Sequence, residues 1–209
     1  VMVRPPFATT YVTEHEYDSW NRLKKLIFPE GEVVQYGYNR AGKLLSVEGA
    51  KTGHNYKYVD QLGYDEYEDR VYMLYGNGAE TKYTYDNQRR RLARLQAGTE
   101  AGHEMMNYQY TYDAVNNITL IENNVTAQSG KPGGYSKHSY LYDNLYRLDS
   151  ARGEYNGAGA SAAYGLKVAY DKLNNIVRKS LQGTNGYDHS YIYEGAGPHQ
   201  PTQIGEHLY

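Results

Sequence analysis

The chain contains no cysteine, and its 209 residues include only two phenylalanines and one tryptophan. Without cysteine the protein can form neither a disulfide bond nor a thiolate metal site. This composition is compatible with a cytosolic protein, or with a secreted protein that is stabilised by sheet area alone. No apolar run approaches the roughly 18 residues that a membrane-spanning helix requires. We therefore expect no membrane insertion by this segment.

A strong net charge is also missing, since the formal charge is −2 and the pI is near 6.4. No global basic field exists that would attract nucleic acid or anionic lipid, so we expect no nucleic-acid partner. One basic cluster remains, and it can be interpreted either as an anion-binding patch or as a solvated turn and strand face. No other basic run supports the first interpretation, so we favour the second. The cluster consists of Arg89, Arg90, Arg91 and Arg94.

Recognisable catalytic and cofactor motifs are absent as well. The seven histidines form no pair at HExxH spacing, and there is no Gly-x-Ser-x-Gly elbow. Gly76-Asn77-Gly78 is followed by neither a lysine nor a helical pattern, which argues against a phosphate-binding loop. His199 and His207 could hold a metal ion together with Glu206, although a turn position explains His199 more simply. We expect no enzymatic activity, no catalytic or metal-binding residues and no cofactor.

Tyrosine is abundant instead, with 26 residues. Its flat ring packs well on a pleated sheet, which favours β-strands. Its hydroxyl group requires a hydrogen-bond partner or water when the ring is buried. A chain that uses tyrosine in place of phenylalanine and leucine is therefore expected to build partly hydrated layers, not a dry core.

The pair Tyr-Asp opens a seven-residue phrase that recurs along the chain. The first copy is Tyr17-Asp18-Ser19-Trp20-Asn21-Arg22-Leu23. Repetition at a fixed period indicates stacked structural units. Further full copies begin at Tyr112-Asp113, Tyr142-Asp143 and Tyr170-Asp171, the copy at Tyr38 has Asn39 for aspartate, and the copy at Tyr85-Asp86 contains one inserted residue.

The residues around each Tyr-Asp pair predict a β-hairpin. Apolar and polar residues alternate before the pair, as in Tyr108-Gln109-Tyr110-Thr111-Tyr112, which is typical of a strand. The aspartate can bond to the backbone two residues on, and an apolar residue then begins the return strand. Tyr146 departs from the residue types found at the fifth position, so we expect a slightly different turn there. The other fifth positions tolerate positive φ, namely Asn21, Gly42, Asn116 and Asn174.

The aspartates and Trp20 each allow two interpretations. A row of carboxylates could bind calcium or act in acid–base chemistry, but each aspartate occupies the same place in a turn, which favours turn capping. Trp20 could be an exposed ring that stacks on sugars, or a ring that packs between neighbouring hairpins. We favour the packing role.

We expect one repeat array over residues 1–209, with units that begin near 17, 38, 58, 85, 112, 142, 170 and 193. The unit near 58 is degenerate and lies around Tyr58-Val59-Asp60-Gln61-Leu62-Gly63. Two segments that are rich in small polar residues, from Thr126 to His138 and from Asn156 to Ala163, are expected to be long flexible loops. The chain does not begin with methionine and is expected to be a fragment of a larger protein.

The repeated phrase resembles the YD-repeat, or Rhs-type, proteins across essentially the whole chain. Tyr75-Gly76-Asn77-Gly78 is similar to a segment that lies between the repeats of that family. The ending Gly197-Pro198-His199-Gln200-Pro201-Thr202-Gln203-Ile204-Gly205 resembles the last repeats before the Rhs core. The resemblance implies an all-β fold of repeated hairpins that form a spiralling sheet, as part of a hollow shell or barrel. It also implies a bacterial protein that is secreted or located at the cell surface.

The resemblance further implies a shell segment of a toxin that encapsulates and helps deliver a C-terminal toxic domain. The implied partners are the remainder of the same polypeptide shell, the encapsulated toxin domain and a secretion or delivery machinery. An extracellular adhesion or carbohydrate-binding module is the alternative. No self-cleavage residues can be assigned, because the sequence shows no Rhs core. Structural repeat residues are expected at Tyr17, Asp18, Tyr38, Gly42, Tyr85, Asp86, Tyr112, Asp113, Tyr142, Asp143, Tyr170, Asp171, Pro198 and His199.

Overall fold

A computed structural model describes residues 10–195 and 197–209 of the chain. These residues form 17 β-strands and contain no helix, which confirms the all-β fold of repeated hairpins. The strands are β1 (Glu14–Tyr17), β2 (Leu23–Ile27), β3 (Val33–Tyr38), β4 (Leu44–Lys51), β5 (His54–Tyr64), β6 (Arg70–Tyr75), β7 (Glu80–Tyr85), β8 (Leu92–Gly98), β9 (Glu104–Tyr112), β10 (Ile118–Asn124), β11 (Tyr135–Tyr142), β12 (Leu148–Gly157), β13 (Ala160–Tyr170), β14 (Ile176–Gly183), β15 (Tyr187–Ile192), β16 (Gln203–Ile204) and β17 (His207–Leu208).

The described residues divide into two compact units, the first comprising residues 10–83 and 98–103 and the second residues 84–97, 104–195 and 197–209. In the first unit each strand from β1 to β6 pairs antiparallel with the next along the chain. In the second unit the strands from β9 to β17 pair in the same way. The array of residues 1–209 as a single domain stays a prediction.

A β-bulge accompanies the turn in six of the repeats. Leu141 lies opposite Ser150, whereas Tyr142 lies opposite Leu148, so Asp149 is an extra residue in the return strand. Such a bulge increases the local right-handed twist and redirects the strand at a defined residue. The same shift in register occurs at Tyr17, Tyr38, Tyr64, Tyr112 and Tyr170.

The apolar core is thin. Among the described residues no large side chain is completely buried, and the two sheet faces stay partly hydrated, as the tyrosine content predicts. Hydrophobic burial is therefore a weaker source of stability here than in a packed two-layer domain. Backbone pairing and side-chain hydrogen bonds contribute a larger share of the stability. The buried apolar residues are Val34, Leu62, Val125, Ala151 and Val168.

Two glycines within the strands are covered by tyrosine rings from the neighbouring strand. Gly49 lies opposite Tyr56, and Gly153 lies opposite Tyr164. A Cβ atom at either glycine would overlap the facing ring. The ring thus covers backbone that a glycine would otherwise leave exposed, which explains why glycine is tolerated inside these strands.

Two expectations about the course of the chain differ from the structure. The repeat expected near Tyr58 is located six residues later, because Tyr58 lies inside β5 and the turn follows Tyr64-Asp65. The first expected loop is present in shortened form, since residues 125–134 lie outside the strands and β11 begins at Tyr135. The second expected loop is replaced by strand, because β12 and β13 extend to a tight turn between Gly157 and Ala160. Small polar residues there pair as strand residues, since Asn156 lies opposite Ser161.

The repeated turn as the candidate functional site

The aspartate of each Tyr-Asp pair holds its own turn closed. The Asp143 carboxylate accepts hydrogen bonds through Oδ1 from the backbone N–H groups of Leu145 (2.8 Å) and Arg147 (3.0 Å). The Asn39 Oδ1 atom accepts one such bond from Lys43 N at 2.9 Å, so an amide can replace the carboxylate. Turn capping by the side chain is thus the geometry of these residues. The same pair of bonds is present at Asp18, Asp65, Asp113 and Asp171.

The fifth residue of each turn has a left-handed backbone conformation. Its φ value is 58° at Asn21, 81° at Gly42, 75° at Asn116 and 68° at Asn174. Tyr146 has φ 62° and the same Asp143 cap, so the prediction of a different turn there is wrong. The two cap bonds impose the conformation on a residue that does not favour it, at a cost of roughly 1 kcal/mol.

The tyrosine of each pair connects its repeat to the preceding one. The Tyr142 hydroxyl donates to the carbonyl oxygen of Ile118, the first residue of the preceding return strand, at 2.8 Å. Burial raises the pKa of Tyr142, which keeps the hydroxyl protonated and able to donate. The equivalent bonds run from Tyr38 to Leu23 (2.7 Å), Tyr112 to Leu92 (2.8 Å), Tyr170 to Leu148 (3.1 Å) and Tyr193 to Ile176 (3.0 Å).

An arginine at the end of the turn makes a second connection, in the direction of the next repeat. Nε and Nη2 of Arg147 both lie 2.7 Å from Asp143 Oδ2, so two guanidinium N–H groups form a fork on one carboxylate oxygen. The guanidinium carbon lies 4.5 Å from the ring centroid of Tyr170, in the next repeat. Nη1 donates to Asn174 Oδ1 at 2.7 Å. We call this set of contacts, together with the tyrosine hydroxyl bond, the stacking step.

Arg91 makes the same stacking step, and two further arginines of the basic cluster bond to neighbouring asparagines. Arg91 Nε bonds to Asp86 Oδ2 at 2.7 Å, and the guanidinium lies 4.6 Å from the Tyr112 ring centroid. Arg91 and Arg89 both donate to Asn116 Oδ1 at 3.1 Å. Arg94 Nε donates to the Asn107 side chain at 2.8 Å. These three cations are used in contacts within the sheet, which agrees with the turn and strand interpretation.

At Arg22 the step is incomplete. The guanidinium pairs with Asp18, at 2.7 Å from Nε and 2.6 Å from Nη2, and it lies 4.2 Å from the Tyr38 ring centroid. The fifth residue of the next repeat is Gly42, which offers no side-chain acceptor. Arg22 Nη1 is consequently the one buried side-chain polar atom without a hydrogen-bond partner in the described part of the chain. The Trp20 ring, which is 66% exposed, lies against the same guanidinium, with 4.7 Å between its centroid and the guanidinium carbon.

Two repeats end their turns with asparagine in place of arginine. The Nδ2 atoms of Asn117 and Asn175 donate to the aspartate of their own turn, at 2.9 Å from Asp113 and 3.0 Å from Asp171, and neither reaches the tyrosine of the next repeat as arginine does. Asn175 also donates to the Pro198 carbonyl at 2.9 Å, and its Oδ1 lies 2.7 Å from His199 Nδ1. The Pro-His segment therefore lies against the last Tyr-Asp turn.

The charges of the turns favour ionised aspartates. The hydrogen bond from Arg91 lowers the pKa of Asp86 to about 2, and the bond from Arg22 likewise lowers the pKa of Asp18. Within residues 10–195 and 197–209, no three histidine, aspartate or glutamate side chains converge as a metal site would require. In the same residues, no helix has the length and apolar character needed to cross a membrane.

Sequence reasoning located the aspartates and tyrosines of these turns but missed the arginines. Arg22, Arg91 and Arg147 each precede the first apolar residue of a return strand, and this shared position was the available signal. The turn at Tyr64 was missed although Tyr64-Asp65 is itself a Tyr-Asp pair. The structural role assigned to the fourteen repeat residues stays a prediction of function.

A sheet of antiparallel hairpins whose Tyr-Asp turns connect successive repeats is the architecture that the resemblance to YD-repeat proteins implies. No family model matches the sequence. The chain is 31% identical over 138 residues to the toxin subunit YenC1 of Yersinia entomophaga, covering 59% of this chain and 13% of the subunit. It is 28% identical over 196 residues to YenC2 of the same organism, covering 90% and 20%. The chain thus spans one fifth or less of these relatives.

Solved structures of toxin complexes contain the same fold. The TcdB2-TccC3-Cdc42 complex matches with a TM-score of 0.80 and 20% identity, over 88% of this chain and 10% of that chain. The Photorhabdus luminescens Tc holotoxin pore with the TccC3-D651A mutation matches with a TM-score of 0.78 and 20% identity, over 86% and 9%. The resemblance to YD-repeat toxin proteins of bacteria is confirmed. The similarity to toxin subunits supports the interpretation that this chain is part of a toxin complex.

Proposed function

We propose that this chain is a structural segment of a toxin shell that encapsulates and helps deliver a C-terminal toxic domain. The observation that carries the proposal is the stacking step, which connects hairpin to hairpin by side-chain bonds in a sheet that has almost no dry core. Such a sheet can extend by adding repeats, because each repeat needs only its neighbours. The similarity to toxin subunits supplies the toxin context.

The proposal assigns no enzymatic activity and no cofactor to this segment. Its partners are the remainder of the same polypeptide and the enclosed toxic domain, with a secretion or delivery machinery outside. Half-hydrated faces suit an inner wall, since a surface of tyrosine hydroxyls and polar groups holds an unfolded chain without large apolar patches that would bind it tightly. The fourteen repeat residues, including Pro198 and His199, act as structural elements of one array. We place the protein outside the producing cell.

Limited proteolysis of the complete polypeptide that carries this chain tests the proposal. We expect the region that follows the repeats to resist protease in the intact protein and to be cleaved rapidly when it is expressed alone. The Arg91→Ala/Arg147→Ala double variant is expected to shorten this protection, whereas Leu145→Ala, at an exposed turn tip, is the matched control that preserves it. Equal cleavage rates for the enclosed and the isolated region contradict encapsulation.

A second candidate function, an adhesion or carbohydrate-binding module, is favoured by one observation. The fourth residue of several turns is a large and exposed apolar residue, with exposed fractions of 66% for Trp20, 62% for Tyr67 and 65% for Leu145. Exposed aromatic rings are common platforms for sugars. Glycan-array binding that is lost in Trp20→Ala but retained in Leu145→Ala would support this function, and the absence of binding across glycan classes would exclude it.

A further inference from the structure

The first hairpin, formed by β1 and β2, presents the receiving half of a stacking step. In a complete step the receiving turn supplies three groups: a tyrosine ring face, a tyrosine hydroxyl and the oxygen of a fifth-position asparagine. At the turn of Tyr170 all three are used. The Arg147 guanidinium lies 4.5 Å from the ring centroid, the hydroxyl donates to Leu148 O at 3.1 Å, and Asn174 Oδ1 accepts from Arg147 at 2.7 Å.

At the turn of Tyr17 the same three groups are present and unused. Tyr17 is 57% exposed, and its ring stacks beside the His15 ring with 6.5 Å between the centroids. Among the described residues, neither the Tyr17 hydroxyl nor the Asn21 side chain has a hydrogen-bond partner. Asn21 nevertheless has φ 58°, close to the 68° of Asn174, so its backbone has the conformation of a receiving turn. No rearrangement of the turn is needed before a partner binds.

The backbone beside Tyr17 is open as well. β1 pairs with β2 along one edge, from Glu14 opposite Ile27 to Tyr17 opposite Leu23. Its other edge has no paired strand in the part of the chain that the structure describes. An unpaired strand edge is a template for a further strand, and here it adjoins the unused side-chain groups.

Two of the three turns that end in arginine are followed by an asparagine at the fifth position of the next repeat, and the third is followed by Gly42. Asn116 and Asn174 follow turns that end in arginine and accept a bond from it. Tyr146 follows the turn that ends in Asn117, whose short side chain reaches only its own aspartate. An asparagine at the fifth position therefore suits an arginine donor, and Asn21 is such an asparagine.

We propose that the β1 edge with Tyr17 and Asn21 is a docking site for a YD hairpin whose turn ends in arginine, of the form Asp-x-x-x-Arg-Leu. The hairpin pairs with β1, its arginine lies on the Tyr17 ring and donates to Asn21, and a backbone carbonyl accepts the Tyr17 hydroxyl. A second copy of this chain does not supply the partner, because its own turns of this kind are already used. These are the turns of Arg22, Arg91 and Arg147.

The test inserts a copy of residues 135–159 between Pro6 and Phe7 of the full chain. This copy carries the Arg147 turn, and the 11 residues from Phe7 to Tyr17 match the length of β13, which ends at Tyr170. Hydrogen exchange of the β1 amides is measured with and without the insertion. We expect exchange to slow at least tenfold. Slowing is expected to be clearly smaller when the inserted arginine is replaced by asparagine, and Asn21→Gly is expected to remove that difference.

Two results overturn the proposal. Equal protection by the arginine and asparagine insertions shows that the site does not select the donor, and no protection by either shows that the edge does not dock a hairpin. If the insertion does not fold, a hairpin peptide with the sequence of residues 135–157, closed by a disulfide between cysteines added at its two ends, is titrated into the unmodified chain. Binding that weakens at least fivefold with an arginine-to-asparagine peptide supports the proposal, whereas equal or absent binding of the two peptides contradicts it.

Discussion

The beginning of the array, around Arg22, and its later part, around Arg147, contain the same stacking step in two states. Both arginines form a fork with the aspartate of their own turn, and both lie on the tyrosine of the next repeat. Only Arg147 finds an asparagine beyond it, whereas Arg22 Nη1 faces Gly42 and stays without a partner. The carboxylate and the ring are therefore sufficient to position the guanidinium, and the fifth-position residue determines whether its last donor is satisfied.

Removal of the turn arginine should have the largest effect on stability, and the effect should differ between Arg147 and Arg22. Arg147→Ala loses a forked ion pair, a cation–π contact and a hydrogen bond to Asn174, so we expect the free energy of unfolding to fall by about 2–3 kcal/mol. Arg22→Ala loses no hydrogen bond to a fifth-position residue, and it also removes a buried donor that has no partner. We therefore expect about half the loss of stability seen for Arg147→Ala. Urea unfolding monitored by circular dichroism measures both.

Arg147→Lys is the control for this pair of variants. Lysine keeps the charge but cannot contact the Asp143 carboxylate and Asn174 simultaneously as the planar fork does. We expect it to recover less than half of the lost stability. Full recovery would mean that charge alone, and not the fork geometry, connects the two repeats.

The tyrosine hydroxyl gives the second contrast. Tyr142→Phe removes the bond to the Ile118 carbonyl and should lower the stability by about 1 kcal/mol. Tyr17→Phe removes a hydroxyl without a partner and should change it by less than about 0.3 kcal/mol. Equal losses in the two variants, measured by urea unfolding, would show that ring packing and not the hydroxyl bond accounts for the effect.

Exchanging the fifth-position residues should sharpen the comparison. Asn174→Gly leaves Arg147 Nη1 with only the Asp171 carbonyl, at 3.4 Å, and should cost roughly 0.5–1 kcal/mol. Glycine tolerates the positive φ of this position, so the loss reports the hydrogen bond and not backbone strain. Thermal unfolding of the variant beside the parent chain measures it. A variant as stable as the parent contradicts a contribution from Asn174.

The reverse change should stabilise the protein. A Cβ atom at Gly42 would lie 3.4 Å from Arg22 Nη1 and 3.6 Å from the Trp20 ring, which are ordinary contacts. Gly42→Asn gives the unsatisfied donor an acceptor, and asparagine accepts φ 81°, so a gain of about 0.5 kcal/mol is expected. Gly42→Ala, which adds the Cβ without the acceptor, is the control and should be destabilising. Their melting temperatures separate the two effects.

The smallest expected effect is the contribution of the turn aspartate to the pH dependence of stability. The pKa of Asp86 is about 2 in the folded chain against 3.8 as its ordinary value, because Arg91 donates to the carboxylate. A depressed pKa contributes stability above pH 3.8 that is lost as the pH falls towards 2. We expect urea midpoints at pH 5 and pH 2 to differ less in Asp86→Asn than in the parent chain. An unchanged difference contradicts a role for Asp86 in acid sensitivity.

Much of the fold could be predicted because its signals are local. The alternation before each Tyr-Asp pair, the capping aspartate and the fifth-position asparagine or glycine all lie within one phrase, and they specify a hairpin. The turn after Tyr64 was harder to find, since acidic residues occupy its fifth and sixth positions, at Glu68 and Asp69. The segment from Asn156 to Ala163 was misjudged because composition indicates flexibility, whereas pairing with the neighbouring strand decides the conformation.

The stacking step itself could not be read from one phrase. Arg147 and Asn174 are 27 residues apart, and neither residue type is unusual at its own position. The partnership exists only once two bulged hairpins lie side by side, which the sequence shows as a repeat but not as a contact. The incomplete step at Gly42 was hidden for the same reason, since glycine and asparagine serve the turn equally well.

The short reach of every stacking step has a consequence for how the polypeptide acquires its structure. The connections between repeats join residues 15 to 27 positions apart. Contacts of such low sequence separation form quickly and in any order along the chain. A polypeptide that emerges from a ribosome, or that crosses a membrane as an unfolded thread, can therefore assemble hairpin upon hairpin as it appears, without waiting for its far end.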